Sequence, residues 1–127
     1  MLNNSERDII FDRFGEPLIR ILKNNWIVTF DGDYLGILKN NTIYNLDGSH
    51  VGWYEGGILR DLDGETVGFG AKPTDTPRPF LPYRGFIPFR GFVGVAPWPA
   101  FPAWPNLKPI KSYGWSDFSP ITLFGDR

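Results

Sequence analysis

The sequence predicts an all-β protein built from four β-hairpins, and three observations predict it. Glycine and proline are abundant, 15 and 12 of 127 residues, alongside 5 Trp, 5 Tyr and 11 Phe. That mixture argues for short strands and tight turns rather than helices. A glycine-centred unit recurs at Gly15, Gly32, Gly48 and Gly64. Eleven of the prolines lie beyond residue 72, so a repeat region, 1–72, precedes a proline- and aromatic-rich segment, 73–127.

Each repeat predicts one hairpin, the four together spanning about residues 8–70. Five positions before the glycine stand Ile10, Ile27, Ile43 and Leu59; three before it stand Asp12, Thr29, Asn45 and Asp61. A type I turn favours Asp or Asn at its first position and Gly at its fourth. The side-chain oxygen at the first position accepts from the turn's own amides. Glycine then takes the left-handed conformation that closes a three-residue loop with a bulge. This register sets Asn45 against Ser49 and Ile43 against Val51. In the other copies it sets Ile10 against Leu18, Ile27 against Leu35 and Leu59 against Val67. Every hairpin thus brings two aliphatics to one face, and four hairpins that are marginal alone share one core. Gly36, Gly52 and Gly68 follow in three copies, where a missing side chain leaves room for a close neighbour.

GSHVGWYEGGILRDLDG, Gly48 to Gly64, carries Gly48, His50, Gly52, Trp53, Gly57, Asp61 and Gly64 in a GxHxGW…GxxxDxxG arrangement. It resembles the four-fold β-flower domain family, whose proline-rich stretch and terminal Trp-Ser-x-x-Ser element are matched by residues 73–109 and by WSDFS at Trp115–Ser119. The resemblance implies four hairpins around a pseudo-four-fold axis and implies no biochemical activity.

In the second region, YRGFIPFRGFVG (Tyr83 to Gly94) says a six-residue unit twice, and Pro99, Pro102 and Pro105 stand three apart. Polyproline II has three residues per turn. Trp98, Phe101, Trp104 and Leu107 then form one apolar edge. That edge is expected to cover the hairpins, with a segment of net charge +4 wrapping residues 1–70, whose net charge is −5. The competing reading docks it on a partner protein, with Trp98, Phe101, Trp104, Arg84 and Arg90 as the contact residues.

Catalytic chemistry finds little support. His50 is the one histidine and there is no cysteine, which excludes a Ser-His-Asp triad beyond that residue, a multi-histidine metal site and a thiol nucleophile. Asp61-Leu62-Asp63-Gly64 has no closing Glu at the calcium-loop spacing. Neither cofactor nor metal is expected. Arg-Gly-Phe units amid aromatics suit RNA in composition, but a thin positive excess weighs against nucleic acid. MLNNSERDII shows no leader pattern and no apolar run spans a bilayer, so the expectation is a cytoplasmic, non-catalytic interaction module with a protein partner. The alternative is a small-ligand site near the pseudo-four-fold axis, around His50, Trp53 and Asp61.

Overall fold

The computed structural model describes residues 5–125. Eight antiparallel strands follow one another around a closed barrel: β1 (Glu6–Phe11), β2 (Pro17–Leu22), β3 (Trp26–Thr29), β4 (Tyr34–Lys39), β5 (Thr42–Asn45), β6 (His50–Glu55), β7 (Ile58–Arg60) and β8 (Thr66–Phe69). β8 returns to β1 through Phe69 opposite Phe11, and the two rings stack 5.6 Å apart. Closure removes both sheet edges, which four separate hairpins would each expose.

The four glycine turns are built as the sequence predicts. Gly15, Gly32, Gly48 and Gly64 have φ of 82°, 96°, 85° and 84°. Each glycine N–H donates to the carbonyl three residues back, on Asp12, Thr29, Asn45 and Asp61. In the third turn the Asn45 carboxamide accepts from the amides of Asp47 and Ser49 at 3.0 Å. Asp61 does the same for Asp63 and Glu65. The opposite end of the barrel uses two-residue turns at Asn40-Asn41 and Gly56-Gly57, all four residues at positive φ, as hairpins of that length demand.

The strand register differs from expectation by one residue. Ile43 faces Gly52, Ile27 faces Gly36, Ile10 faces Ile19 and Leu59 faces Gly68. A second bulge in every hairpin, at Leu18, Leu35, Val51 and Val67, produces the slip. A bulge sharpens twist and bends the strand, which closing a narrow barrel requires. The face is nonetheless the expected one. Ile10, Ile27, Leu35, Ile43, Leu59 and Val67 are buried in one interior cluster, with Leu18 and Val51 packed against it.

A short 3-10 helix, Thr122–Phe124, ends the described chain and sends Leu123 and Phe124 into that cluster. A side chain at Gly36 would meet Phe124, and one at Gly52 would collide with the Arg60 carbonyl and touch Leu123. The strand glycines therefore make room for the next strand's backbone and for this plug. The plug fills the space among the four hairpins.

Candidate interaction surface

From residue 77 to 112 the chain has no helix or strand, yet backbone bonds to the barrel tie it down along its length. It crosses the four glycine turns in order. A side chain at Gly15 would run into the Tyr83 carbonyl, at Gly32 into that of Phe92, at Gly48 into that of Phe101 and at Gly64 into that of Ile110. The crossing residues 83, 92, 101 and 110 are nine apart. Backbone bonds fasten the crossings: Gly85 N–H to the Gly15 carbonyl at 2.7 Å, Ala103 to Gly48 at 2.9 Å and Ser112 to Gly64 at 3.1 Å. At the second turn Gly91 donates to Phe30 instead, and the Tyr34 hydroxyl donates to the Gly94 carbonyl.

The exposed large apolar residues of this collar recur with a period of three. Phe80, Tyr83, Phe86, Phe89, Phe92, Val95, Trp98, Phe101, Trp104, Leu107, Ile110 and Tyr113 are 76–99% exposed, and every one of the twelve is a large apolar residue. That period is the polyproline II period. The opposite face of the collar meets the barrel. Leu81, Ile87 and Trp115 cover an outer cluster of Ile9, Phe11, Phe30, Ile58 and Phe69. The aromatic edge thus does not cover the hairpins, contrary to expectation. Leu81, Ile87 and Trp115 do so, and the edge faces away.

The two ends of the collar meet at Arg60. Its buried guanidinium donates to the Asp75 carboxylate at 3.3 Å, to the Pro77 carbonyl, and to the Ser112 carbonyl at 3.2 Å. Lys111 joins Asp75 at 2.7 Å. Burial pushes the Asp75 carboxyl up, but Lys111 and Arg60 outweigh it and hold the group below its ordinary value. Phe80 and Tyr113 line one open hollow at this junction, so the two ends of the apolar edge come to one place. The dimensions agree. Eight strands ~4.8 Å apart and tilted ~40° make a barrel ~50 Å around, and a layer ~10 Å further out runs ~110 Å. The 33 steps from Phe80 to Tyr113, at about 3.1 Å each, give about 100 Å.

A four-petalled barrel with an encircling collar accounts for nearly the whole chain, and a family model described as "4-fold beta flower protein" matches residues 8–124. The chain belongs to the four-fold β-flower family. No curated protein and no solved structure matches it significantly.

Within this flower the sequence-derived ligand residues divide. His50 and Trp53 pack edge to face at 4.5 Å. The His50 Nε2–H donates to the Gly52 carbonyl at 2.9 Å, and Nδ1 accepts from the Asn106 amide of the collar at 2.8 Å. Burial lowers the imidazole pKa, partly offset by the Gly52 bond. Asp61 lies apart, spent on its turn and on the Ser116 hydroxyl at 2.5 Å. That bond ties WSDFS to the fourth petal, where Trp115 also forms a bridge with Thr66.

The partner residues divide as well. Trp98, Phe101 and Trp104 stand in solvent. Arg84 is turned inward to the carbonyls of Gly70 and Ala71. Arg90 pairs with buried Glu6 at 2.6 Å, a bond that raises its pKa. Sequence reasoning missed Arg60 and Asp75, which no motif marks. Among the described residues no three His, Cys, Asp or Glu side chains gather as a metal site, and no helix is long and apolar enough to cross a membrane.

Proposed function

We propose that this β-flower is a non-catalytic interaction module whose docking surface is the apolar edge of the collar. One observation carries the reading: twelve large apolar residues stand exposed, one at every third position from Phe80 to Tyr113. At roughly 150 Å² for each large side chain they present on the order of 1,500–2,000 Å². The largest apolar patch on an ordinary monomer is about 300–600 Å². A surface several times that size is one that spends its time covered.

The collar is also held as a docking element should be. Backbone bonds and the Arg60 junction fix its shape beforehand, which spares much of the ordering entropy that a free polyproline segment loses on binding. The test uses the full chain as bait, alongside a variant with Trp98→Ala, Phe101→Ala and Trp104→Ala. A stoichiometric binding protein, reconstituted from purified components and lost with the variant, supports the reading. Equal capture by both baits refutes it.

A second reading, small-ligand binding, is favoured by a different place from the axis. Two adjoining hollows of about 440 and 450 Å³ lie where the collar passes β4 and β5, sharing Lys39, Tyr44, Phe101 and Pro102. Their size and apolar lining suit a small molecule. A thermal shift with an aromatic carboxylate that disappears in Lys39→Ala separates this reading from the first.

A further inference from the structure

The charges of the collar point to what covers its edge. None of the twelve edge positions is charged. The cations of the same segment are engaged by the barrel and by the collar's own start, with Arg78 donating to the Asp75 carbonyl at 2.9 Å. Arg84 goes to backbone carbonyls of residues 70 and 71, and Arg90 to Glu6. Lys108 pairs with Glu55, and Lys111 with Asp75. A surface built for anionic lipid or nucleic acid would turn those groups outward, where phosphates could reach them. Here the twelve edge positions are neutral and apolar.

We infer that the edge is a self-association surface, on which a second copy of this chain packs edge to edge about a two-fold axis. The inference rests on the docking reading above and names its partner. An isologous contact needs a patch compatible with itself, and a neutral ring brings no like charges together. The area also fits. A standard interface takes about 800 Å² from each partner, and obligate homodimers bury 2,000 Å² or more in total. A two-fold contact covers only the part of an encircling ring that faces the partner, and half of the ring, on the order of 900 Å² from each copy, is already a standard interface. A face that must stay covered also needs a partner made in the same amount, and a second copy always is.

The experiment is sedimentation of the full chain over a range of micromolar concentrations. The expected mass is twice 14.5 kDa. Two triple variants are compared with it, Trp98→Ser/Phe101→Ser/Trp104→Ser and Phe86→Ser/Phe89→Ser/Phe92→Ser. Each triple should raise the dissociation constant about 100-fold or more, because exposed aromatic anchors dominate such contacts. Amide-exchange protection in the barrel should stay unchanged, since the replaced side chains touch solvent, and this separates lost contact from lost fold. A wild-type chain that sediments as a monomer throughout overturns the inference. If that monomer takes up another protein through the same edge, the docking reading survives alone. If it instead partitions onto phosphatidylcholine vesicles, both fall. Open-ended aggregation untouched by the triples also overturns it.

Discussion

The barrel and the collar are both four-fold repeats, but they store their instructions differently. In the barrel each petal is specified by residues with unusual backbone demands: an Asp, Asn or Thr that caps the turn, then a glycine at positive φ three places on. In the collar each quarter is marked by side chains that stand largely in solvent, arranged every three residues, with a turn crossed every nine. The first repeat answers to folding. The second contributes little burial, because the inner face holds the collar in place while the outer face is left apolar. Apolar residues retained where the fold does not use them are best understood through what else they touch.

The largest way to break this contrast is to damage the crossing where both repeats meet. At Gly32 a valine faces two obstacles at once: φ of 96° and the carbonyl of Phe92 where its Cβ must go. Positive φ on a β-branched residue is strained, and the clash forces turn and collar apart. Gly32→Val should destabilise by about 4 kcal/mol or prevent folding, whereas Asp47→Ala, removing an exposed side chain beside a turn glycine, should stay within about 0.5 kcal/mol. Chemical denaturation of both variants checks the gap. Equal midpoints would mean that the turn glycines are not where the collar is held.

That gap was half legible in the sequence. The Asx-x-x-Gly spacing announces the turns because few residues tolerate those angles. The common face of Ile10, Ile27, Ile43 and Leu59 follows from counting outward from the turn. The second bulge escaped, since it falls on Leu18, Leu35, Val51 and Val67, residues with nothing special about their backbone. Only the glycine after three of them hinted that a neighbouring carbonyl lies close. The nine-residue step escaped for a different reason. The collar meets the turns through backbone carbonyls of Tyr83, Phe92, Phe101 and Ile110, and a carbonyl leaves no trace in residue type. Nor can spacing tell that Arg90 reaches inward to Glu6 rather than outward to a partner.

The next prediction separates a ring from a strap. If Arg60 joins the two ends of the collar, Arg60→Met leaves Asp75, the Pro77 carbonyl and the Ser112 carbonyl without their shared donor. Removing one member of a buried charged network typically costs about 3 kcal/mol or more. Amide exchange should rise first at both collar ends, near residues 75–80 and 110–114, while β2 to β5 stay protected. A uniform loss of protection would make Arg60 an ordinary part of the barrel.

The smallest expected effect is a dependence on pH, and it sharpens the comparison at a single bond. The folded protein holds His50 as the neutral ring, because burial disfavours the cation and Nδ1 must keep its lone pair for the Asn106 amide. The unfolded chain has no such restriction and binds a proton around the ordinary value of 6.5. Below that pH it holds more protons than the folded state, so stability falls as pH drops through 6.5 and goes on falling until the lowered folded value is passed. His50→Asn keeps an acceptor near the Nδ1 position and cannot take up the proton. Its melting temperature should therefore change less between pH 7.5 and pH 5 than that of the wild type. Asp75 does not confuse the measurement, since its lowered pKa places its own loss of stability below its ordinary 3.8. Parallel curves for the two proteins would mean that the ring does not hold the collar in its neutral form.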